Sequence, residues 1–406
     1  VARRPTILFV HDSFPAQFGA LGAWLARSGW EVAFATAARS ARAEAIRIIR
    51  YAAHREPAPQ THPYALPMER AALKGQAFAR AALAARRGGF RPDVVVAHSG
   101  WGSGLYARDV FPEAAFVAYC EWWYNHPGPD VAFLTGLGGP EVGGVEAGMI
   151  ERGRNAPIAL DIAGAAAALC PTRFQAGQFP HPFRRALTVL HDGIDTEVFS
   201  PEARAQRDTL GGLVPETARV VTYATRGMEP HRGFPQFVAS LREVFAAVPD
   251  AVAVVAGRNE VAYGGDRLRG VDWKARALAE HDVDPHRVHF VGHLAHRDYL
   301  RLLGRSDAHV YLTVPFVLSW SMLEAMSVGC ALVASSTEPV TEFANNENAR
   351  LVDLHSPSAI AAGITELLLD PAPAVRLRTA ARRCVEEKLS TRRIFRAKRA
   401  LLESLI

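Results

Sequence analysis

Short, uninterrupted runs of aliphatic residues alternate with amphipathic stretches along the whole chain. That alternation restricts the fold more than any other feature of the sequence. In the first half the runs are TILFVH, WEVAFAT, DVVVAH, AFVAYCE, AALC and LTVLHD; in the second they are RVVTYAT, AVAVVAG, VHFVGH, AHVYLTV and CALVAS. Helical patterns fall between them, at Gln17–Ser28, Phe234–Ala247, Asp298–Gly304, Met322–Val328 and Pro357–Leu369. Strands that are apolar throughout, each followed by a helix, predict parallel sheets covered on both faces. The polar, turn-rich segment Asp195–Pro215 separates the two halves. The expectation is an α/β protein of two doubly wound, Rossmann-like domains, residues 1–200 and 201–387. The last stretch, STRRIFRAKRALLESLI, predicts an amphipathic helix at about 388–406 that packs back on the first domain. Its basic face leaves contact with anionic lipid open as an alternative.

A chain of 406 residues is too long for one ordinary core. With 49% hydrophobic and 21% charged residues it has the make-up of a globular protein, and no apolar run reaches the length of a membrane span. The N-terminal VARRPTILFV is read as a first strand and not as a leader, because His11-Asp12 ends the run. Cys120, Cys170, Cys330 and Cys384 are widely spaced, which argues against a zinc site or a disulfide scaffold and fits a reducing cytoplasm. The formal net charge is +5, the positive charge is almost all arginine, and no basic block is interleaved with aromatics, so nucleic acid is not an expected partner. The arginines at 39, 42, 47, 50 and 55 are read as a solvated helix face, with contact to lipid or an anionic glycan as the alternative. The glycine-rich segment Asn125–Asn155 predicts a long loop, beside a site or over the surface.

Ligands of open parallel sheets bind outside the carboxyl ends of the strands. In the first half those ends carry His11-Asp12-Ser13, His98-Ser99-Gly100, Glu121 with two tryptophans, and His191-Asp192-Gly193. In the second half they carry Thr225-Arg226-Gly227, Gly257-Arg258-Asn259, Gly292-His293 and Pro315-Phe316. Two such edges suggest a cleft between two domains. The dinucleotide fingerprint GxGxxG and the P-loop are both absent, which disfavours a dehydrogenase or a kinase. Arg226 and Arg232, in TYATRGMEPHRGF, could grip a diphosphate through charge-assisted hydrogen bonds, or could lie in a solvated basic loop. Asp282-Val283-Asp284 precedes a strand, the wrong end of a sheet for metal-assisted chemistry, and is read as a turn.

The stretch PFVLSWSMLEAM, Pro315–Met326, has two readings. Ser321 and Glu324 form S-x-x-E, the pattern of a helix capping box. A helix start behind a parallel strand also offers free backbone N–H groups and the positive end of a dipole to a phosphate. In that case Glu324 could accept from ribose hydroxyls. Spacing does not choose between the two.

Taken together, HDSFPAQFGALGAWLARSGWEVAFAT, VLHDGIDTEVFSP, TRGMEPHRGF, VAVVAGRN, VHFVGHL and SMLEAMSVGCALVAS resemble, in order, the retaining glycosyltransferases of family 4, in a bacterial subgroup. The resemblance implies a GT-B fold and a nucleoside diphosphate sugar, UDP- or GDP-linked, as co-substrate, with no metal and no other cofactor. It also implies that Arg226 and Arg232 bind the pyrophosphate, Arg232 standing where the family has a lysine. Glu324 matches the second glutamate of an E-x7-E motif, which binds the ribose; at the place of the first stands Phe316. Ser319 and Trp320 match backbone positions that meet the distal phosphate, and His98 a histidine near the transferred sugar. The implied catalytic set is His98, Arg226, Arg232 and Glu324. The implied donor site adds Gly257, His293, Leu294, Phe316, Ser319, Trp320 and Ser321. His11, Asp12, Gln17, Gly19, His98 and Glu121 are candidates for an unidentified acceptor. The competing readings are a sugar-nucleotide-binding pseudoenzyme, suggested by Phe316, and an epimerase or phosphorylase on the same fold.

Overall fold

The computed structural model describes residues 3–137, 141–205, 207–264 and 268–406. They form two compact units. The first comprises Val1–His126, Gly143–Asp192 and Arg392–Ile406; the second comprises Pro127–Val142 and Gly193–Thr391.

The first unit holds a seven-stranded parallel sheet of β1 (Thr6–Val10), β2 (Glu31–Thr36), β3 (Arg47–Arg50), β4 (Val94–His98), β5 (Ala115–Tyr119), β6 (Ala167–Cys170) and β7 (Leu187–Val189). Its strand order is β3-β2-β1-β4-β5-β6-β7, so the winding reverses between β1 and β4. All five residues of β1 are buried, and they divide by strand periodicity. Ile7 and Phe9 join Leu21, Leu25, Val96 and Tyr119 on one face, whereas Leu8 and Val10 join Phe78, Val95 and Phe116 on the other. Phe9 stacks on Phe18 at 5.2 Å, just ahead of helix Gly19–Arg27. Each such side chain contributes roughly 1.5–3 kcal/mol by leaving water, which is why an apolar run with no alternation marks a central strand.

The helix Thr391–Glu403 lays Ile394, Phe395 and Leu402 on the Ile7/Phe9 face, and its Lys398 ammonium donates to Asp192 at 2.9 Å. This is the terminal amphipathic helix that the hydrophobic spacing predicts. A preceding helix, Pro371–Leu389, belongs to the second unit.

The second unit holds a six-stranded parallel sheet of β8 (Arg219–Gly227), β9 (Ala251–Arg258), β10 (Val288–Gly292), β11 (Ala308–Tyr311), β12 (Leu332–Ser335) and β13 (Arg350–Val352). The order is β10-β9-β8-β11-β12-β13, with the reversal between β8 and β11. Helix Phe234–Ala247 buries Phe234, Phe237, Val238 and Leu241 against it, and Tyr223 of β8 stacks on Phe237 at 4.7 Å.

Several expectations need correction. The boundary falls at Asp192/Gly193 and not at residue 200, and Pro127–Val142 groups with the second unit. The segment Asn125–Asn155 is largely helical where described, with helices Pro129–Gly136 and Val145–Ala163; residues 138–140 lie outside the described set. Gly128 and Gly144 stand at the N-caps of those helices, so glycine here marks starts and not a structureless loop. The arginine-rich stretch is not a helix face: Arg47 and Arg50 flank two isoleucines in the edge strand β3, and Arg39, Arg42 and Arg55 lie outside regular structure. Charged ends are a common way of protecting a sheet edge. Among the described residues no helix is long and apolar enough to cross a membrane.

Candidate active site

In the second unit, the strands on either side of the reversal end around one small pocket. Thr225, Arg226, Arg232, Tyr263, Ser319 and Ser321 are among the residues that line it. Arg226 is exposed at the end of β8, where the pairing with β9 shifts register between Ala224 and Gly227. Arg232 ends the 3-10 turn Pro230–Arg232 and is followed by Gly233 at φ +63°. A side chain at 233 would be strained by that φ and would bring its Cβ to 2.7 Å from Leu312 Cβ.

Arg232 is only 5% exposed. Its guanidinium donates to Thr313 Oγ1 at 2.8 Å, to the Tyr311 hydroxyl at 3.3 Å and to the Val317 carbonyl at 3.2 Å. It also lies 4.7 Å from the Tyr263 ring centroid. None of its hydrogen-bond partners is a carboxylate. The nearby Glu229 is fully buried; it accepts from the Ala262 amide at 2.7 Å and leaves Oε1 without a partner. Burial pushes Glu229 up to about 7, against the pull of the Ala262 amide and Arg232. Two hydroxyls, a carbonyl and an aromatic face therefore hold a buried cation whose counter-charge is incomplete.

The helix that follows β11 runs Trp320–Val328, and its cap is Ser319, whose hydroxyl accepts from the Ser321 amide at 3.3 Å. Of the two readings of this stretch, the capping box is excluded: Ser321 is inside the helix, and Glu324 is not part of a cap. The Ser319 amide donates to the Tyr311 hydroxyl at 2.9 Å, which ties the helix tip to the group that also receives Arg232. Burial raises Glu324 to about 7, with the Tyr299 hydroxyl pulling the other way. A carboxyl raised in the folded state favours folding fully below its unfolded value, near 4.5, and loses that contribution as pH rises through about 7. Glu324→Gln is therefore expected to raise stability at pH 8 by on the order of 1 kcal/mol after solvent screening, with little change at pH 4. Thermal melts at the two pH values check this; an equal effect at both would contradict it.

Phe316 packs with Tyr263 at 5.5 Å and with His231 at 5.6 Å, beside this pocket. His231 is buried and its Nε2 meets Asp130 at 3.1 Å. The other expected donor-side residues do not line the pocket. Gly257 (φ +143°) lies in β9, where an added Cβ would meet the Thr225 carbonyl at 2.4 Å. His293 is exposed after β10, Leu294 packs in an aliphatic cluster with Val220 and Val254, and Trp320 is 36% exposed. Tyr263, Tyr311, Thr313 and Glu229 were not foreseen. Glu229 sits inside the TRGMEPHRGF stretch, and Tyr311 and Thr313 follow from the strand end AHVYLTV; Tyr263 carries no local signal.

In the first unit, polar groups collect at the carboxyl edge of β1, β4 and β5. His98 Nε2 meets Glu121 Oε2 at 3.3 Å, and the Gln17 amide donates to Glu121 Oε1 at 3.0 Å. His11 packs edge-on against His98 at 4.8 Å, and its Nδ1 accepts from the Ser13 amide. Burial, and then His98, lower His11 to about 4, so its ring is neutral at pH 7. Burial pushes Glu121 upward, but His98 and Gln17 outweigh it and hold the carboxylate below its usual range. Asp12 is claimed by the Lys74 ammonium and by the Ser103 and Tyr51 hydroxyls. Gly19 opens the first helix, and a side chain there would collide with Pro15. His191 and Asp192 are buried, Asp192 between Lys398 and the Tyr119 hydroxyl. Asp284 caps the turn before β10 by accepting from the His286 amide, so the DVD sequence is a turn. Among the described residues no three His, Cys, Asp or Glu side chains gather in a metal-binding arrangement.

Two family profiles match the chain: the glycosyl transferase family 4 group over residues 28–199 and the glycosyl transferases group 1 over residues 212–384. A glycogen synthase of Mycobacterium tuberculosis is 28% identical over 197 residues, 48% of this chain and 43% of that protein. The chain thus spans less than half the length of that curated relative. Sucrose-phosphate synthase from Thermosynechococcus elongatus superposes with a TM-score of 0.75 at 19% identity, covering 99% of each chain. Anabaena HepE, solved in complex with UDP-glucose, superposes with a TM-score of 0.68 at 16% identity, covering 98% of this chain and 99% of its own. At those identities the structural likeness speaks for the fold, GT-B. The two profiles account for most of both halves, and the chain belongs to the glycosyltransferases, joining a family 4 group first half to a group 1 second half.

Proposed function

We propose that this glycosyltransferase moves a sugar from a nucleoside diphosphate sugar to an acceptor with retention at the anomeric carbon, its diphosphate held by Arg226, Arg232 and the tip of helix Trp320–Val328. One observation carries the reading: a buried guanidinium, hydrogen-bonded to neutral groups only, opens on a pocket beside a second arginine and a helix N-terminus. A cation in that state attracts an anion strongly, because the water that would screen it is excluded. The first backbone N–H groups of helix Trp320–Val328 would supply further donors.

Departure of the diphosphate builds negative charge on the leaving oxygen. Arg226, Arg232 and the helix tip would stabilise that charge without reorganising. Retention, which the family resemblance supports, would let the leaving phosphate take the acceptor's proton, so no enzyme nucleophile is needed. Glu324, freed from capping, would accept from the ribose. Ser319 and Ser321 would meet the distal phosphate, while Gly257, His293, Leu294 and Phe316 would border the rest of the donor. On the first unit, His98 held by Glu121 would orient the sugar, and His11, Asp12 and Gln17 would face the acceptor. The UDP-glucose complex of the Anabaena neighbour makes UDP the first nucleotide to test.

Arg226→Ala is expected to weaken UDP binding by about 2 kcal/mol or more, since a charged hydrogen-bonding partner is lost. Calorimetry with UDP and GDP checks this, and unchanged affinity would count against the site. Turnover of UDP-sugars, followed by the anomeric configuration of the product, separates the transferase from a non-catalytic binding protein, which would give no product.

A further inference from the structure

Trp101 is 48% exposed, although tryptophan is a highly buried residue type on average. Exposed tryptophans on loose loops are common enough, but this one is held from several sides. It lies between Gly100 at φ +98° and Gly102 at φ +87°. A Cβ at Gly102 would stand 2.2 Å from the Ala71 Cα, so this turn is pressed against helix Leu66–Arg87 and only glycine fits. The following Ser103 hydroxyl bonds Asp12, and the Lys74 ammonium, also on Asp12, lies 5.2 Å from the indole centroid. His11 and His98 pack on the same indole at 6.0 and 5.7 Å. The sequence thus commits two left-handed glycines and an ion pair to fixing a large, half-exposed aromatic surface.

Such a surface suits one chemistry in particular. A pyranose ring has a face of C–H groups that packs on an indole, and a rim of hydroxyls that need donors and acceptors. The first unit offers both. The indole supplies the flat apolar surface, and His98, Glu121 and Gln17 supply polar groups at the same strand ends. Lys74 is neutralised by Asp12, which argues against a free anion as the principal ligand of this corner. We propose that Trp101 is the stacking platform for a sugar ring of the acceptor, so that the acceptor is itself a saccharide. This deepens the transferase reading and rests on the first unit's carboxyl edge being the acceptor side.

The test uses the full chain and a panel of α- and β-linked gluco-, galacto- and manno-configured trisaccharides, with binding followed by saturation-transfer NMR. The wild type is expected to bind at least one of them. Trp101→Ala should weaken that ligand tenfold or more, whereas Trp101→Phe, which keeps a stacking surface, should stay within a few-fold. Circular dichroism and thermal melts confirm that both variants fold. No binding of any trisaccharide, or equal binding by Trp101→Ala, overturns the proposal. UDP and GDP titrated into the wild type in the same buffer separate the two levels: a nucleotide that binds without a Trp101-dependent saccharide sinks this inference alone, and failure of both nucleotides to bind sinks the transferase reading beneath it.

Discussion

Arg232→Met is expected to weaken UDP binding by roughly a hundredfold or more and to leave the ligand-free protein within about 1 kcal/mol of wild-type stability, because an apolar side chain of similar length escapes the desolvation that a buried charge suffers. The guanidinium sits at 5% exposure with Thr313, Tyr311 and Val317 as its partners, none of them anionic. In the free protein its interactions do little more than offset the cost of burial. In the complex, two phosphate oxygens would complete its coordination, and charge-assisted bonds of that kind are about twice as strong as neutral ones. The loss in binding should therefore be on the order of 3 kcal/mol or more, roughly a hundredfold. Arg232→Lys keeps the charge but not the planar fork, and should fall between the two. Calorimetry with UDP and a thermal melt on the same preparation measure both halves of this result. A variant that binds UDP normally, or that loses binding only because it no longer folds, would contradict the role given to Arg232.

The second large effect concerns a buried ion pair of the first unit. Lys398 and Asp192 are buried together, 2.9 Å apart, with the Tyr119 hydroxyl completing the carboxylate at 2.8 Å. Burial alone would push Asp192 up, but Lys398 and then His191 and Tyr119 reverse this and hold it below the usual carboxylate range. A depressed carboxyl contributes stability that is present in full above its unfolded value, near 3.8, and lost as pH falls through the lower folded value. Lys398→Met strands that charge and is expected to cost about 3–5 kcal/mol. The double variant with Asp192→Asn should recover most of the loss, since no uncompensated charge remains. Urea unfolding of the single and double variants at pH 7 measures it. A single-variant cost below about 1 kcal/mol would show that water reaches the pair.

These two sites differ in how far the sequence announces them. Arg232 was legible because it lies within seven residues of Arg226 at a strand end, and local spacing was enough to suggest an anion grip. Lys398 and Asp192 are 206 residues apart in sequence, and a lone lysine on an amphipathic helix looks solvated until the fold turns it inward. The same contrast runs through the fold. Central strands such as β1 and β8 could be read because burial on both faces leaves an unbroken apolar run. The edge strands β3 (RIIR) and β13 (RLV) are short and start with arginine, so they offered no such run. The pattern in Ser319–Glu324 marked a helix start without choosing its cap, because Ser319 and Ser321 both suit a cap position. What decided between them was the Tyr311 hydroxyl holding the Ser319 amide, a contact eight residues back along the chain.

The position of a bound nucleotide's phosphates decides whether Arg226, Arg232 and the helix tip form the donor site. A crystal structure of the protein with UDP, grown in the presence of a chelator, measures that position. The expected result places the diphosphate oxygens within about 3 Å of the Arg226 and Arg232 guanidinium nitrogens, with the distal phosphate against the amides that open helix Trp320–Val328. Phosphates bound away from both arginines, or UDP that enters only once a divalent metal is restored, would contradict it.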